Sequence, residues 1–152
     1  MHVVLVNPEI PGNTGNIART CAATGTTLHL VRPLGFEVTD RHLKRAGLDY
    51  WHLVEVRYWD DFATLRASYR TEAFFFATGH AGQLYTDVCY PRGSFLVFGR
   101  ESTGLPEELL AANREWCVRI PMVKGARSLN LANAVAVILY EALRQQGFVG
   151  LS

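Results

Sequence analysis

The sequence shows no marked charge imbalance, few cysteines and no apolar run of membrane length, and each absence removes a class of function. Fifteen Lys and Arg against fourteen Asp and Glu give a net charge of +1 and a pI of about 7.8. Composition therefore does not announce a nucleic-acid partner, although local basic patches leave one open. The three cysteines, Cys21, Cys89 and Cys117, are odd in number, widely spaced and without a C-x-x-C pair. That argues against a disulfide framework and a structural zinc site. Cys21 and Cys117 lie among apolar residues and read as small buried side chains. The five histidines (2, 29, 42, 52 and 80) lack ligand spacing, so no metal is expected. Neither G-x-x-x-x-G-K-[ST] nor G-x-G-x-x-G occurs, which gives no support to a P-loop or a dinucleotide fingerprint. No apolar run approaches the ~18 residues of a membrane helix. Met1-His2 leads straight into Val3-Val4-Leu5-Val6, so no signal peptide is expected, no membrane partner, and a cytoplasmic location.

What is present suits one domain over residues 1–152, with 49% hydrophobic residues to build its core. Buried-strand signals fall at His2–Val6, Thr27–Val31, Tyr50–Val56, Ala73–Ala77, Phe95–Phe98 and Cys117–Ile120. Helical signals alternate with them. One helix is capped by Asn13 or Thr14 and closed by Gly25, and another is short, from Thr39 or Asp40 to Ala46. A third spans Asp60–Tyr69 with an acidic start, a fourth starts at Leu105-Pro106-Glu107-Glu108, and a fifth runs from Ser128 as cap to about Gln145. Residues 83–94 read as irregular. Strand, loop and helix in series predict an α/β fold, a parallel sheet flanked by helices, with ligand loops at the carboxyl ends of the strands.

The chain is organised around residues 95 to 133, where two glycine-punctuated loops each follow a short apolar run. Leu129, Leu131, Ala132, Ala134 to Val137, Ile138 and Leu139 leave the last helix little polar face before Glu141. An all-round apolar helix must be covered on several sides. The sheet covers one, so a homodimer through the 129–145 helix is expected, with a central helix in a monomer as the alternative. Asn130 and Asn133 lie on one face and either cap the helix or meet a polar ligand. Arg19 projects from a small, apolar helix and needs a partner, either a structural ion pair to Glu101 or a ligand. Arg41-His42-Leu43-Lys44-Arg45 is a basic cluster that also reads as a solvated helix face. Arg19, Arg100, Lys124 and Arg127, in or beside the loops, are the kind of charges that bind phosphate.

Three segments carry a resemblance: Asn13-Thr14-Gly15-Asn16-Ile17-Ala18-Arg19, Phe98 through Pro106, and Ile120-Pro121-Met122 with Ser128 through Val135. In this order and at these separations they resemble the three motifs of the SPOUT RNA methyltransferases, in the branch that methylates ribose 2′-hydroxyls. Glu9-Ile10-Pro11 and Arg45-Ala46-Gly47-Leu48-Asp49-Tyr50 are similar to the small subgroup acting on the wobble nucleotide of tRNA, cytidine or uridine 34. Gly12 and Arg100 stand where proline is common in that family, and Lys124-Gly125-Ala126 is a loop variant.

The resemblance implies a carboxy-terminal trefoil knot, against the general rule that chains avoid knots. It also implies S-adenosyl-L-methionine as cofactor and a tRNA anticodon loop as partner. The cofactor would lie among Ala77, Thr78, Gly79, Gly99, Gly104, Ile120, Met122, Ser128 and Leu129, read largely by main-chain groups. Arg19 would orient the 2′-oxygen, Glu101 would orient Arg19, and Ser128 and Asn130 would hold the ribose or the cofactor carboxylate. A non-catalytic RNA-binding or regulatory protein that keeps a nucleotide pocket is the alternative, with an ordinary doubly wound nucleotide enzyme behind it.

Overall fold

The structure is a computed structural model that describes residues 1–39, 41, 45 and 50–152. Its first half contains β1 (His2–Val6), α1 (Pro11–Thr24), β2 (Thr27–Val31), β3 (Val56–Trp59), α2 (Phe62–Ser68) and β4 (Phe74–Ala77). The second half contains β5 (Gln83–Leu84), β6 (Phe95–Phe98), α3 (Glu107–Ala112), a 3-10 turn at Arg114–Trp116, β7 (Cys117–Arg119) and α4 (Leu131–Gln145). The seven strands form one parallel sheet in the order β3-β2-β1-β6-β4-β7-β5.

Alternation along the strands sends side chains to two cores, because successive residues of a strand face opposite ways. Val3, Leu5, Leu28, Leu30, Phe75, Leu96 and Phe98 face α1 and α4, meeting Ile17, Ala18, Cys21, Val135, Ile138 and Leu139. Val4, Val6, Val31, Phe74, Phe76, Phe95 and Val97 face Leu65 of α2 and Leu105 before α3. Strands covered on both faces read as continuous apolar runs, which is why Phe74-Phe75-Phe76 is legible as a central strand. Burial pushes the Cys21 thiol up to about 12, as suits an inert core residue.

Register places the site. His2–Val6 pair in step with Thr27–Val31, and His2–Leu5 with Phe95–Phe98. The loops that begin at Asn7, Arg32 and Gly99 therefore leave the sheet side by side.

Four expectations are corrected. Helix α1 starts at Pro11 with Ile10 as N-cap, not at Asn13 or Thr14; proline suits this first position because its missing N–H is not needed there. Its end is as expected, with Gly25 left-handed at φ 63 and Thr26 N–H donating to Cys21 O. Helix α4 is capped by Asn130, not Ser128, because the Asn130 carboxamide reaches the amides of Ala132 and Asn133 at 2.9 and 3.3 Å. Tyr50 and Trp51 are helical, and the strand expected over Tyr50–Val56 begins only at Val56. The segment expected to be irregular holds β5 and is tied to α4, where Gln145 accepts from Tyr90 N–H and donates to Val88 O, both at 2.9 Å. The short helix expected from Asp40 to Ala46, the basic cluster over 41–45 and the Arg45–Tyr50 signature fall largely outside the described residues.

Along α4, Val135, Ile138, Leu139, Ala142 and Leu143 are buried at helical spacing, so a single stripe docks on α1 and the sheet. Val137 and Tyr140 stay exposed, and Tyr140 packs near Phe148.

Candidate active site

Three loops separated widely in sequence are tied together by two carboxylates and two carboxamides. Glu101, in the loop after β6, accepts from Glu9 N–H at 2.8 Å, Ile10 N–H at 3.1 Å and Asn13 Nδ2 at 3.2 Å. Glu9 returns the exchange, accepting from Ser102 N–H at 3.0 Å and Ser102 Oγ at 2.9 Å. These bonds from Ser102, with help from Arg100, hold the Glu9 carboxyl below the usual carboxylate range. Each acid thus satisfies backbone donors of the other's loop. The Glu101 charge also sits at the amino end of α1, where the helix dipole favours it.

Asn13 carries the connection onward. Its Oδ1 accepts from Asn130 Nδ2 at 3.0 Å, while Asn130 Oδ1 caps α4. No amide in this chain can be turned round. Asn130 must present oxygen to two helix N–H groups, so its nitrogen faces Asn13; Asn13 must then present oxygen to Asn130 and nitrogen to an acceptor-only carboxylate. The order Glu101, Asn13, Asn130 is a one-way hydrogen-bond relay.

Around this clamp the loop after β6 is tight. Gly104 N–H donates to Arg100 O at 2.9 Å, Gly104 takes φ 72, and a Cβ on Gly99 would lie 2.0 Å from the carbonyl carbon of Gly104. Glycine at 99 is thus required by the loop's own backbone. Beside it, the loop after β4 is held by Thr78 N–H to Val118 O at 3.0 Å and closed by Ala81 N–H to Thr78 O. The loop from Ile120 to Asn130 is mostly exposed, and Ala126 N–H to Val123 O is the one backbone bond within it among the described residues.

The sequence profile of the "SpoU rRNA Methylase family" matches residues 1–140. The chain belongs to that family. The SpoU relatives include a tRNA (cytidine(34)-2'-O)-methyltransferase of Aeromonas hydrophila, 46% identical over 151 residues that cover 99% of this chain and 97% of that one. A solved structure described as giving structural insights into the 2-OH methylation of C/U34 on tRNA is 50% identical, with a TM-score of 0.91 over 96% of this chain and 95% of that one. The AdoMet-bound rRNA methyltransferase of Sinorhizobium meliloti is 27% identical, with a TM-score of 0.84 over 94% of this chain but 55% of its own.

Against this family background the expected site residues divide. Glu101 and Asn130 are brought together through Asn13. Ala77, Thr78, Gly79, Ile120, Met122, Ser128 and Leu129 lie at the carboxyl ends of β4 and β7 and in the loops that follow. Ser128 is exposed and makes no side-chain hydrogen bond among the described residues. Arg19 does not meet Glu101. Six residues on from Asn13 it lies about 9 Å along the axis and about 240° around it, and both Glu101 oxygens are occupied. Its guanidinium instead lies 4.6 Å from the centroid of the Tyr50 ring. The expected ion pair, and the role of Glu101 as orienter of Arg19, are therefore replaced by the clamp.

Glu9, Asn13 and Ser102 were not singled out from the sequence as site residues. Asn13 and Ser102 sit inside the motif segments, and Glu9 opens the Glu9-Ile10-Pro11 stretch that leads through the Ile10 cap into α1. The missing signal is the pairing, which spans 93 positions from Glu9 to Ser102. One buried side-chain atom among the described residues has no partner, Thr14 Oγ1, next to Asn13 in α1.

Proposed function

We propose that the protein is a single methyltransferase domain over residues 1–152 that methylates the ribose 2′-hydroxyl of the tRNA wobble nucleotide, cytidine or uridine 34, using S-adenosyl-L-methionine. The observation that carries this reading is the clamp: Glu101, Asn13 and Asn130 join the three segments whose sequences resemble the family motifs into one rigid unit at the carboxyl edge of the sheet. The family's description mentions rRNA, but the relatives near half identity along the full chain act on tRNA position 34, and they decide the substrate class. The trefoil threading of the carboxy-terminal segment belongs to the same proposal.

Loops with uncommitted main-chain groups and open space suit a nucleoside cofactor. A Cβ at Gly79 would meet nothing within 4 Å. The exposed 120–130 loop leaves amides and carbonyls of Ile120, Met122 and Leu129 available to read adenine and ribose. Ala77, Thr78, Gly79 and Gly104 form the facing wall, and Gly99 fixes the turn behind it. When bound, S-adenosylmethionine would supply an electrophilic methyl group for the ribose 2′-oxygen, with the carbon–sulfur bonding pair returning to sulfur and the hydroxyl proton passing to solvent water.

The chain's own task is orientation, and holding two reactants correctly is worth roughly 7 to 11 kcal/mol. Arg19 orients the 2′-oxygen and its neighbouring phosphate. It remains a cation throughout, because a guanidinium is effectively always protonated, so it stabilises developing alkoxide charge and is not the base. Ser128, exposed beside the cap of α4, and Asn130 complete the ribose side. A second copy covers the exposed face that carries Val137, Tyr140, Phe148 and Val149, making the active form a homodimer measurable by sedimentation.

The test is to incubate the purified protein with methyl-labelled S-adenosylmethionine and tRNA lacking ribose methylation, then digest and identify the labelled nucleoside. Labelled 2′-O-methylcytidine or 2′-O-methyluridine from position 34 is expected. Label on a base atom, or cofactor binding without transfer to any tRNA, would overturn the reading.

A further inference from the structure

The loops after β1, β2 and β6 enclose a cleft of about 170 Å³ lined by Asn7, Glu9, Pro33, Leu34, Gly35 and Arg100. Its cation is held in place from several sides. Arg100 follows Gly99 directly, and its carbonyl accepts from Gly104 N–H at 2.9 Å, so its backbone cannot drift. Arg100 Nη2 donates to Asn7 Oδ1 at 3.1 Å. Asn7 is itself fixed, left-handed at φ 53, with Nδ2 directed to Val31 O and Pro33 O at 3.4 Å each. A side chain with much rotamer freedom to lose has been ordered in advance.

The guanidinium nevertheless has no carboxylate within ion-pair distance among the described residues. Glu9, the acid in the lining, is turned to Ser102 N–H and Oγ and acts on Arg100 only from beyond ion-pair distance. Of the five N–H donors of a guanidinium, one is used among the described residues. A half-buried, pre-positioned cation with four donors left is built to meet an anion, and planar bidentate recognition of phosphate is what arginine does best.

Position says which anion. The strand order β2-β1-β6-β4-β7 puts this cleft on one side of β6 and the loops after β4 and β7 on the other. The cofactor loops and the cleft therefore flank the clamp from opposite sides. We propose that Arg100, held by Asn7, binds a phosphodiester of the RNA strand adjoining the methylated nucleotide and is a positioning residue for that strand. This rests on the reading of the protein as an RNA 2′-O-methyltransferase.

The experiment is equilibrium binding of unmodified tRNA over a salt series for the wild type, Arg100→Gln and Arg100→Lys, with cofactor affinity and thermal unfolding measured alongside. One lost phosphate contact in single-stranded RNA lowers the slope of log affinity against log salt by about 0.7. Arg100→Gln should show that decrease with cofactor affinity and unfolding temperature unchanged, and Arg100→Lys should restore the slope, which counts charges, without regaining all of the affinity of the planar bidentate contact. An unchanged slope in Arg100→Gln overturns the proposal. So does a lysine variant whose slope stays as low as that of the glutamine variant, which would mean base readout, or a loss of cofactor affinity, which would mean a loop-supporting role. Displacement of tRNA by inorganic phosphate beyond its ionic-strength effect, abolished by Arg100→Gln, would reassign the cleft to a free anion. A wild type that binds cofactor but no tRNA would overturn the functional reading itself, a result distinct from all of these.

Discussion

His29 should make the fold lose stability as the pH falls from 7 to 5. It is fully buried on the α2 face of the sheet (0% exposed), where Trp59 Nε1–H donates to its Nδ1 at 3.0 Å and its Nε2 lies 3.0 Å from His2 Nδ1. The indole is a donor only, so Nδ1 of His29 carries no proton, Nε2 carries it, and His2 accepts at Nδ1. A second proton on His29 would set an N–H against the Trp59 N–H. Burial, and then the neighbouring His2 and Arg57, bring the His29 pKa down from 6.5 to about 3, with Glu55 opposing. Burial, the Met1 amino group and Arg57 bring that of His2 to about 4.

A histidine with a depressed folded pKa contributes stability that is complete above the unfolded pKa and is lost as pH falls below it, because the unfolded chain then binds the extra proton. The loss is about 1.4 kcal/mol per pH unit for His29, hence about 2 kcal/mol at pH 5 relative to pH 7. His2 adds less, being half-exposed and screened by solvent. For a chain of this size that is a fall of roughly 4 to 8 °C in unfolding temperature. Urea unfolding at pH 7, 6 and 5 reads it directly, above the range where Glu9, Glu55, Asp61 and Glu141, all with lowered pKa values, begin to titrate. The control is His29→Gln, less stable at pH 7 but with a shallower pH slope. Equal slopes for the two proteins between pH 5 and 7 would refute the argument.

Other expected outcomes follow from the site. Glu101→Gln leaves one acceptor oxygen for three donors and turns an amide toward them, so urea unfolding should show a loss of about 1 to 3 kcal/mol and methyl transfer should fall with it. Gly79→Ala and Gly99→Ala separate ligand contact from loop architecture: the first adds a methyl into open space and should weaken cofactor binding while leaving stability within about 0.5 kcal/mol. The second drives a methyl into the Gly104 backbone, 2.0 Å away, and should destabilise the fold outright in thermal unfolding.

The central strands were legible because strands covered on both faces have nowhere to show polarity, so Val3–Val6, Phe74–Phe76 and Phe95–Phe98 stand out as apolar runs ended by a turn residue. Helix ends were legible only where the stop is local. Gly25 closes α1 by its own left-handed backbone, but the amino end of α1 is served by a carboxylate 91 positions away, and no nearby residue records it. Asn13 has a capping residue's chemistry and was read as one; in the fold that same chemistry is spent across the loops. The expected pairing of Glu101 with Arg19 fails because the order of residues records neither the side of α1 on which each stands nor the donors of Glu9, Ile10 and Asn13 that compete for the carboxylate. Helix α4 shows the same limit, because apolar content counts how much surface wants cover but not which of its faces the sheet and α1 provide for.

Asn13 gives the sharpest test of the clamp, because replacement by an isosteric acid reverses one bond and leaves the shape alone. Asn13 donates to Glu101 at 3.2 Å and accepts from Asn130 at 3.0 Å. Asp in its place can still accept from Asn130 but sets a second carboxylate against Glu101, and two acids that close cannot both ionise without cost. The pair takes up a proton with a raised folded pKa. The stability and activity deficits of Asn13→Asp should therefore be largest at neutral pH and shrink as pH falls through that raised value, opposite in sign to the His29 effect. Asn13→Ala, which removes both bonds and carries no charge, should show a deficit that does not change with pH. Parallel pH profiles for the Asp and Ala variants would mean that Asn13 and Glu101 are not directly bonded in solution. The relay joining the three loops would then have to be abandoned, even if methyl transfer to the wobble ribose had been demonstrated.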